Sequence, residues 1–291
     1  MEFRTVVDVE DPGFRIGVGE EILFVGSCFA DSIGRRFQEE KFRATVNPFG
    51  VMYNPASILH TIEKWEGKCQ TAFFTLGTNH VYRLKETGEI VDNCQKRPAS
   101  LFTEEELTVD ECADYLQQAI KILRDKNPEV RVVLTVSPIR YRKYGYHGSQ
   151  LSKATLLLAI DKVLPQSRGS QRGAEQTADQ TTPNPSYSGG ERISYFPAYE
   201  IVNDELRDYR FYAEDMLHPS AQAVEYIWQR LSEVYLSDEA KAFLKEWAPL
   251  KAALNHRPFD AESEEYKAFM HKTMLKVDEL QKKYPTFAIE K

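Results

Sequence analysis

The chain has 291 residues, 42% hydrophobic and 28% charged, a balance that excludes a disordered or fibrous protein. Its net charge of −7 offers a phosphate backbone little to bind and argues against a nucleic-acid partner. No apolar run approaches the roughly 20 residues that span a bilayer, and MEFRTVVDVEDPGF lacks a leader-like apolar core, so a cytoplasmic protein without a membrane partner is expected.

In chain order, Ile22 to Val25 is a compact apolar run that Gly26 ends. Phe29, Ile33 and Phe37 then recur on one helical face, so EILFVGSCFADSIGRRF predicts strand, tight turn, helix. FRATVNPFG predicts a second strand ending at Asn47-Pro48. Asn54 and Pro55 open a helix carrying Ile58, Ile62 and Trp65. TAFFTLGTNHVYRL predicts a strand that breaks at Gly77 and resumes. EEELTVDECADYLQQAIKILRDKNP predicts one long helix with Leu116, Ile120 and Leu123 in register, closed by Pro128. VRVVLTVSP is an unbroken β-branched run, as in a central parallel strand. SQLSKATLLLAIDKVL predicts a helix capped by Ser149, ISYFPAYEIV a strand entering a short helix, and PSAQAVEYIWQRLSEVY a helix starting at Pro219. The segment 166–190 is rich in Gly, Ser, Gln, Thr and Pro and predicts a flexible insertion. Beyond residue 236, two charged amphipathic helices are expected to pack on the outside of the same domain.

Strands alternating with helices predict an α/β three-layer sandwich with a mostly parallel sheet. Right-handed crossovers then gather the strand C-terminal ends on one edge, where ligands bind.

Two stretches fall on that edge. Cys28 follows the first strand at a helix start, where unpaired N–H groups favour a thiolate and can hold an oxyanion. The competing reading is a small buried hydrophobe behind a Gly turn. Asp215 and His218, three apart before the last helix of the sandwich, suit a carboxylate that orients an imidazole, or plain helix punctuation. The four cysteines, Cys28, Cys69, Cys94 and Cys112, form no CxxC pair, so neither a zinc site nor any other metal is expected. His147 lies in RYRKYGYHGSQLSK, a basic, Tyr-rich loop after the clearest strand that could meet an anionic or sugar-like substrate.

Gly26-Ser27-Cys28-Phe29-Ala30, with NPFGVMYNP, TLGTNHVY, VSPIR, HGSQLSKATLLLAID and YFPAYEIVNDELRDYRFYAEDMLHPS, resembles the GSCFA-domain family, over roughly residues 20–236. That family looks like a branch of the SGNH (GDSL-type) hydrolases, with a Gly-Asp-Ser nucleophile turn and a terminal Asp-x-x-His. The resemblance implies an SGNH, flavodoxin-like architecture for 1–236, with residues 237–291 as a helical extension. It implies an acyl hydrolase or acyltransferase acting on an ester, such as an O-acyl carbohydrate, without a cofactor. Cys28 aligns with the nucleophile and Ser27 with the superfamily's Asp; a shift of one would make Ser27 the nucleophile instead. His218 would be the base and Asp215 its partner, with Gly50 and Asn79 as oxyanion donors. A non-catalytic binding or scaffold protein on the same fold is the rival expectation, since Cys replaces the usual Ser.

Overall fold

The computed structural model describes residues 3–92, 97–165 and 192–286. The segment 166–190 and Cys94 lie outside the described residues. The elements run β1 (Glu21–Gly26), α1 (Cys28–Glu39), β2 (Arg43–Val46), α2 (Pro55–Lys64), β3 (Thr71–Leu76), β4 (His80–Leu84), β5 (Ile90–Val91), β6 (Phe102–Glu106), α3 (Val109–Lys126), β7 (Arg131–Val136), α4 (Gly145–Val163) and β8 (Ile193–Tyr195). A short α5 (Ala198–Glu200) continues as a π-helical turn over Ile201–Leu206. Then come α6 (Ala221–Tyr235), α7 (Asp238–Leu254) and α8 (Glu264–Lys283).

Five strands form one parallel sheet in the order β2-β1-β3-β7-β8. Counted within the sheet this is 2-1-3-4-5, the flavodoxin-like order. Alternation along the strands sends side chains to two cores. Leu23, Val25, Phe74, Val132 and Leu134 meet α2, α3 and α4 on one face. Ile22, Phe24, Phe73 and Val133 meet α1, the π-helical turn and α6 on the other. The second core is aromatic. Phe24 stacks on Phe73 with ring centres 4.6 Å apart, and Phe37 meets Trp228 edge-on at 4.8 Å. Each such fully buried ring contributes on the order of 2–3 kcal/mol by removing apolar surface from water.

A second, antiparallel sheet of order β5-β4-β6 follows β3. It corrects one expectation. Glu104, Glu105 and Glu106 do not open the long helix; they lie on β6. Thr108 starts α3 instead, through a reciprocal capping box with Glu111. Likewise α4 begins at Gly145 and not behind a Ser149 cap; the Ser149 hydroxyl accepts from the Tyr141 N–H at 3.2 Å. α6 is capped by Ser220, one residue beyond the expected start.

α7 and α8 share a small core of Phe243, Trp247, Leu250, Val277, Leu280 and Tyr284. Phe42, between α1 and β2, meets Phe243 edge-on at 6.3 Å, and Lys251 reaches Glu40 at 3.0 Å. A groove of about 700 Å³ between these two helices is lined by no residue of the parallel sheet's edge. No helix among the described residues is long and apolar enough to cross a membrane.

Candidate active site at the sheet edge

The Gly26–Ala30 stretch divides its labour residue by residue. Gly26 has φ +142°, and a Cβ there would fall 2.2 Å from the Thr75 carbonyl oxygen, so only glycine lets β1 end this close to β3. Ser27 is fully buried and caps α1. Its Oγ accepts from the Phe29 N–H at 3.2 Å and lies 3.2 Å from Thr75 Oγ1. Phe29 and Ala30 are buried in the aromatic core. Cys28, at the first helical position, is half-buried, and its thiol is the polar side chain of the motif that remains open to solvent. Its N–H has no acceptor inside the helix.

The Asp215–His218 spacing is explained by an Asx-type turn. Asp215 Oδ1 accepts the N–H groups of Leu217 (2.9 Å) and His218 (3.0 Å). This aims Oδ2 at His218 Nδ1, 2.5 Å away. Those backbone N–H groups, chiefly that of His218, and then the imidazole hold the Asp215 carboxyl down at about 2. An ionised Asp215 accepts, so Nδ1 carries a hydrogen, and in the neutral ring Nε2 then holds the lone pair. A Tyr212–Pro219 bridge closes the loop, and the Ala213 N–H donates to the His218 carbonyl at 2.8 Å. Arg140, just past the C-terminal end of β7, pins it down. Its N–H donates to the Leu217 carbonyl (3.1 Å) and its Nη2 to the Met216 carbonyl (2.6 Å), while its guanidinium lies 4.1 Å over the Tyr212 ring. Met216 sits in the left-handed region at φ +59°. The imidazole loop is thus tied to the same strand-end edge from which Cys28 emerges after β1. Cys28 and Tyr212 also pack against the same core.

The other expected residues lie differently. Gly50 is exposed and its N–H donates to the Asn47 carbonyl at 2.8 Å, so that donor is already used. Asn79 is buried and turned away, giving Nδ2 to the Leu107 carbonyl at 2.8 Å. His147 is exposed on the first turn of α4. His80 is buried and stacked on Tyr144 at 3.5 Å, and burial lowers its pKa. Cys69 and Cys112 are buried, which pushes both thiols up to about 12. Among the described residues no three His, Cys, Asp or Glu side chains gather as a metal-binding set.

The neighbours of Cys28 were not singled out from the sequence. The Met52 N–H donates to the Gly26 carbonyl, and the N–H groups of Gly77 and Thr78 both donate to the Tyr53 carbonyl, each at 2.8 Å. Tyr53 is therefore held between the ends of β1 and β3. Its hydroxyl lies near the Cys28 thiol; burial first, and then that thiol, raise the phenol's pKa. Tyr141 meets Tyr53 edge-on at 6.0 Å. A Cβ on Gly77 would fall 2.2 Å from the Tyr141 hydroxyl, so glycine makes room for that phenol. Lys153, fully buried, donates to the Gly77 carbonyl (2.6 Å) and the Ser137 carbonyl (2.8 Å) just past β3 and β7. Burial pushes its ammonium down to about 7. The legible signal was position alone: all three side chains follow, or reach, the C-terminal ends of parallel strands.

Sheet order defines an α/β sandwich of the flavodoxin-like class, with a thiol and a His–Asp pair toward the C-terminal edge of its sheet. Within that class the chain belongs to the GSCFA family, whose model matches residues 21–72 and 66–231; the GSCFA domain protein, C-terminal domain, matches 247–291. No curated protein matches the chain. Among solved structures it is similar to a Streptococcus pneumonia protein provisionally described as a platelet activating factor, at 15% identity over 74% of this chain and 83% of that one, TM-score 0.43. An acetyl esterase mutant solved with acetate ion is similar at 13% identity over 80% and 97%, TM-score 0.39. A carbohydrate esterase family 3 protein from Talaromyces cellulolyticus is similar at 11% identity over 80% and 97%, TM-score 0.37.

Proposed function

We propose that this protein is an SGNH-like acyl hydrolase or acyltransferase in which Cys28 attacks an ester, His218 moves the proton and Asp215 orients His218. The observation that carries the reading is the His218–Asp215 pair at 2.5 Å, with Nε2 left free, on a loop that Arg140 ties to the sheet edge. Ser27 is the weaker nucleophile candidate because its hydroxyl is buried as a helix cap. In the first step Cys28 Sγ, having lost its proton to His218 Nε2, bonds to the carbonyl carbon. The C=O pair moves to oxygen, and its return expels the alkoxide, which takes the proton from Nε2. The resulting thioester then passes its acyl group to water or to an acceptor alcohol. The step needs no metal or organic cofactor. The substrate class we favour, O-acyl carbohydrate, follows from the superfamily resemblance.

The test is the pH dependence of Cys28 alkylation by iodoacetamide in wild type and in His218→Ala. A thiolate–imidazolium pair predicts labelling of Cys28 ahead of the buried Cys69 and Cys112 in wild type, and a profile displaced to higher pH in the variant. Identical profiles would remove His218 from the site.

A further inference from the structure

Most of the oxyanion donors expected for this fold are already engaged. The N–H groups of Gly26 and Ser27 go to Asn47 Oδ1 and Thr75, and that of Phe29 to Ser27 Oγ. Gly50 N–H closes a turn, the N–H groups of Gly77 and Thr78 serve Tyr53, and Asn79 Nδ2, itself buried, gives one of its two hydrogens to Leu107. Asn47 Nδ2 donates to Asp31 at 2.6 Å. On this edge the Cys28 N–H is left without an intrahelical acceptor, and one donor alone gives an oxyanion half the usual pair.

Two phenols stand where the second donor is needed. Tyr53 is 39% exposed, has its backbone fixed between the ends of β1 and β3, and has its hydroxyl near the thiol. Behind it the Tyr141 hydroxyl is buried with no hydrogen-bond partner among the described residues. Tyr141 is itself seated from below, by the Lys153 ammonium 5.1 Å from its ring centre and by the missing side chain of Gly77. So a partly exposed phenol beside the nucleophile is backed by a second, rigidly held one. Burial keeps both phenols protonated over the working pH range, and a protonated phenol donates.

Resting on the Cys28 reading above, we propose that the Tyr53 hydroxyl is a catalytic oxyanion donor, paired with the Cys28 N–H, and that Tyr141 is the positioning residue behind it. When Cys28 Sγ bonds to the acyl carbon, the former carbonyl oxygen takes the electron pair. Tyr53 shares its proton with that oxygen in a hydrogen bond but does not give it up. The bond is released when the C=O re-forms and the alkoxide leaves.

Two reagents separate this role from a structural one. Acylation by p-nitrophenyl acetate passes through an oxyanion; alkylation by iodoacetamide forms the S–C bond and releases iodide without one. Both rates are measured up to the pH plateau, where the thiol is fully ionised, so a shift in thiol pKa drops out. For Tyr53→Phe the acylation plateau is expected to fall on the order of 10²-fold while the alkylation plateau stays within about twofold. Tyr141→Phe, which keeps the ring, is expected to lower acylation less, again with alkylation unchanged. If neither plateau changes in Tyr53→Phe, or both fall together, Tyr53 is not an oxyanion donor. Release of p-nitrophenol from Cys28→Ala at the wild-type rate is a different failure: it removes the nucleophile itself, and this inference with it.

Discussion

Among the described residues two His–Asp pairs occur, in different surroundings. His218 Nδ1 and Asp215 Oδ2 are 2.5 Å apart on an exposed loop at the C-terminal edge of the parallel sheet. His60 Nδ1 and Asp92 Oδ1 are 2.7 Å apart, half-buried, between α2 and the residue after β5. Asp92 also accepts from Lys64 at 3.0 Å, so it clips the small sheet to α2 with two cations. The hydrogen bond to Asp92 raises the His60 pKa above burial's opposing pull. For Asp92, burial pushes upward, but the bonds from His60 and Lys64 outweigh it and lower the carboxyl. The hydrogen bond is common to both pairs, so it does not mark a catalytic base. What separates them is position: the His218 loop is tied by Arg140 to the C-terminal edge of the parallel sheet, where α1 and Cys28 begin, whereas His60 lies on α2 beside the small sheet.

The sharpest way to break this contrast is to remove each imidazole in turn. His218→Ala is expected to cost about 10²- to 10⁴-fold in acyl turnover, the usual worth of a positioned general base, and His60→Ala less than about twofold. Comparable losses in steady-state ester hydrolysis would erase the distinction.

Loosening the loop without touching the imidazole sharpens it. Arg140→Ala deletes the bond to the Met216 carbonyl and the contact with Tyr212. We expect kcat to fall roughly tenfold with KM and the melting temperature little changed, because a small misplacement of a catalytic group costs rate before it costs stability.

The smallest effect belongs to the clip. His60→Ala should lower unfolding free energy by about 1 kcal/mol, discounted because the pair is only half-buried. The pH dependence has a definite sign. The raised His60 pKa gives stability that is complete below about 6.5 and is lost as pH rises through the folded value. The lowered Asp92 pKa gives stability that is complete above about 3.8 and is lost as pH falls through its folded value. The wild-type advantage over His60→Ala in urea titrations should therefore peak between about pH 4 and 6.5.

Much of this was legible in the sequence. The strand–turn–helix at Gly26–Phe37 shows because its signals are local: an apolar run, a Gly, a Ser cap and an i, i+4, i+8 face. The Asp215–His218 pairing shows because its turn closes within three residues. The second oxyanion donor does not show. Gly50 and Asn79 fit a short pattern, yet whether an N–H is free depends on which distant carbonyl it meets, here those of Asn47 and Leu107. Tyr53, Tyr141 and Lys153 come from three separated segments that only the sheet order brings together. Glu104 to Glu106 look helical by composition, and pairing with β4 overrides that local preference.

The proposed chemistry turns on Cys28 forming the covalent bond. The most direct measurement is to mix the protein with p-nitrophenyl acetate, quench in acid and locate the acetyl group by peptide mass spectrometry. The account predicts a single neutral-hydroxylamine-labile thioester on Cys28, absent from Cys28→Ala and accumulating more slowly in His218→Ala. An acetyl group on Ser27, or an acetylation pattern that Cys28→Ala leaves unchanged, would contradict it.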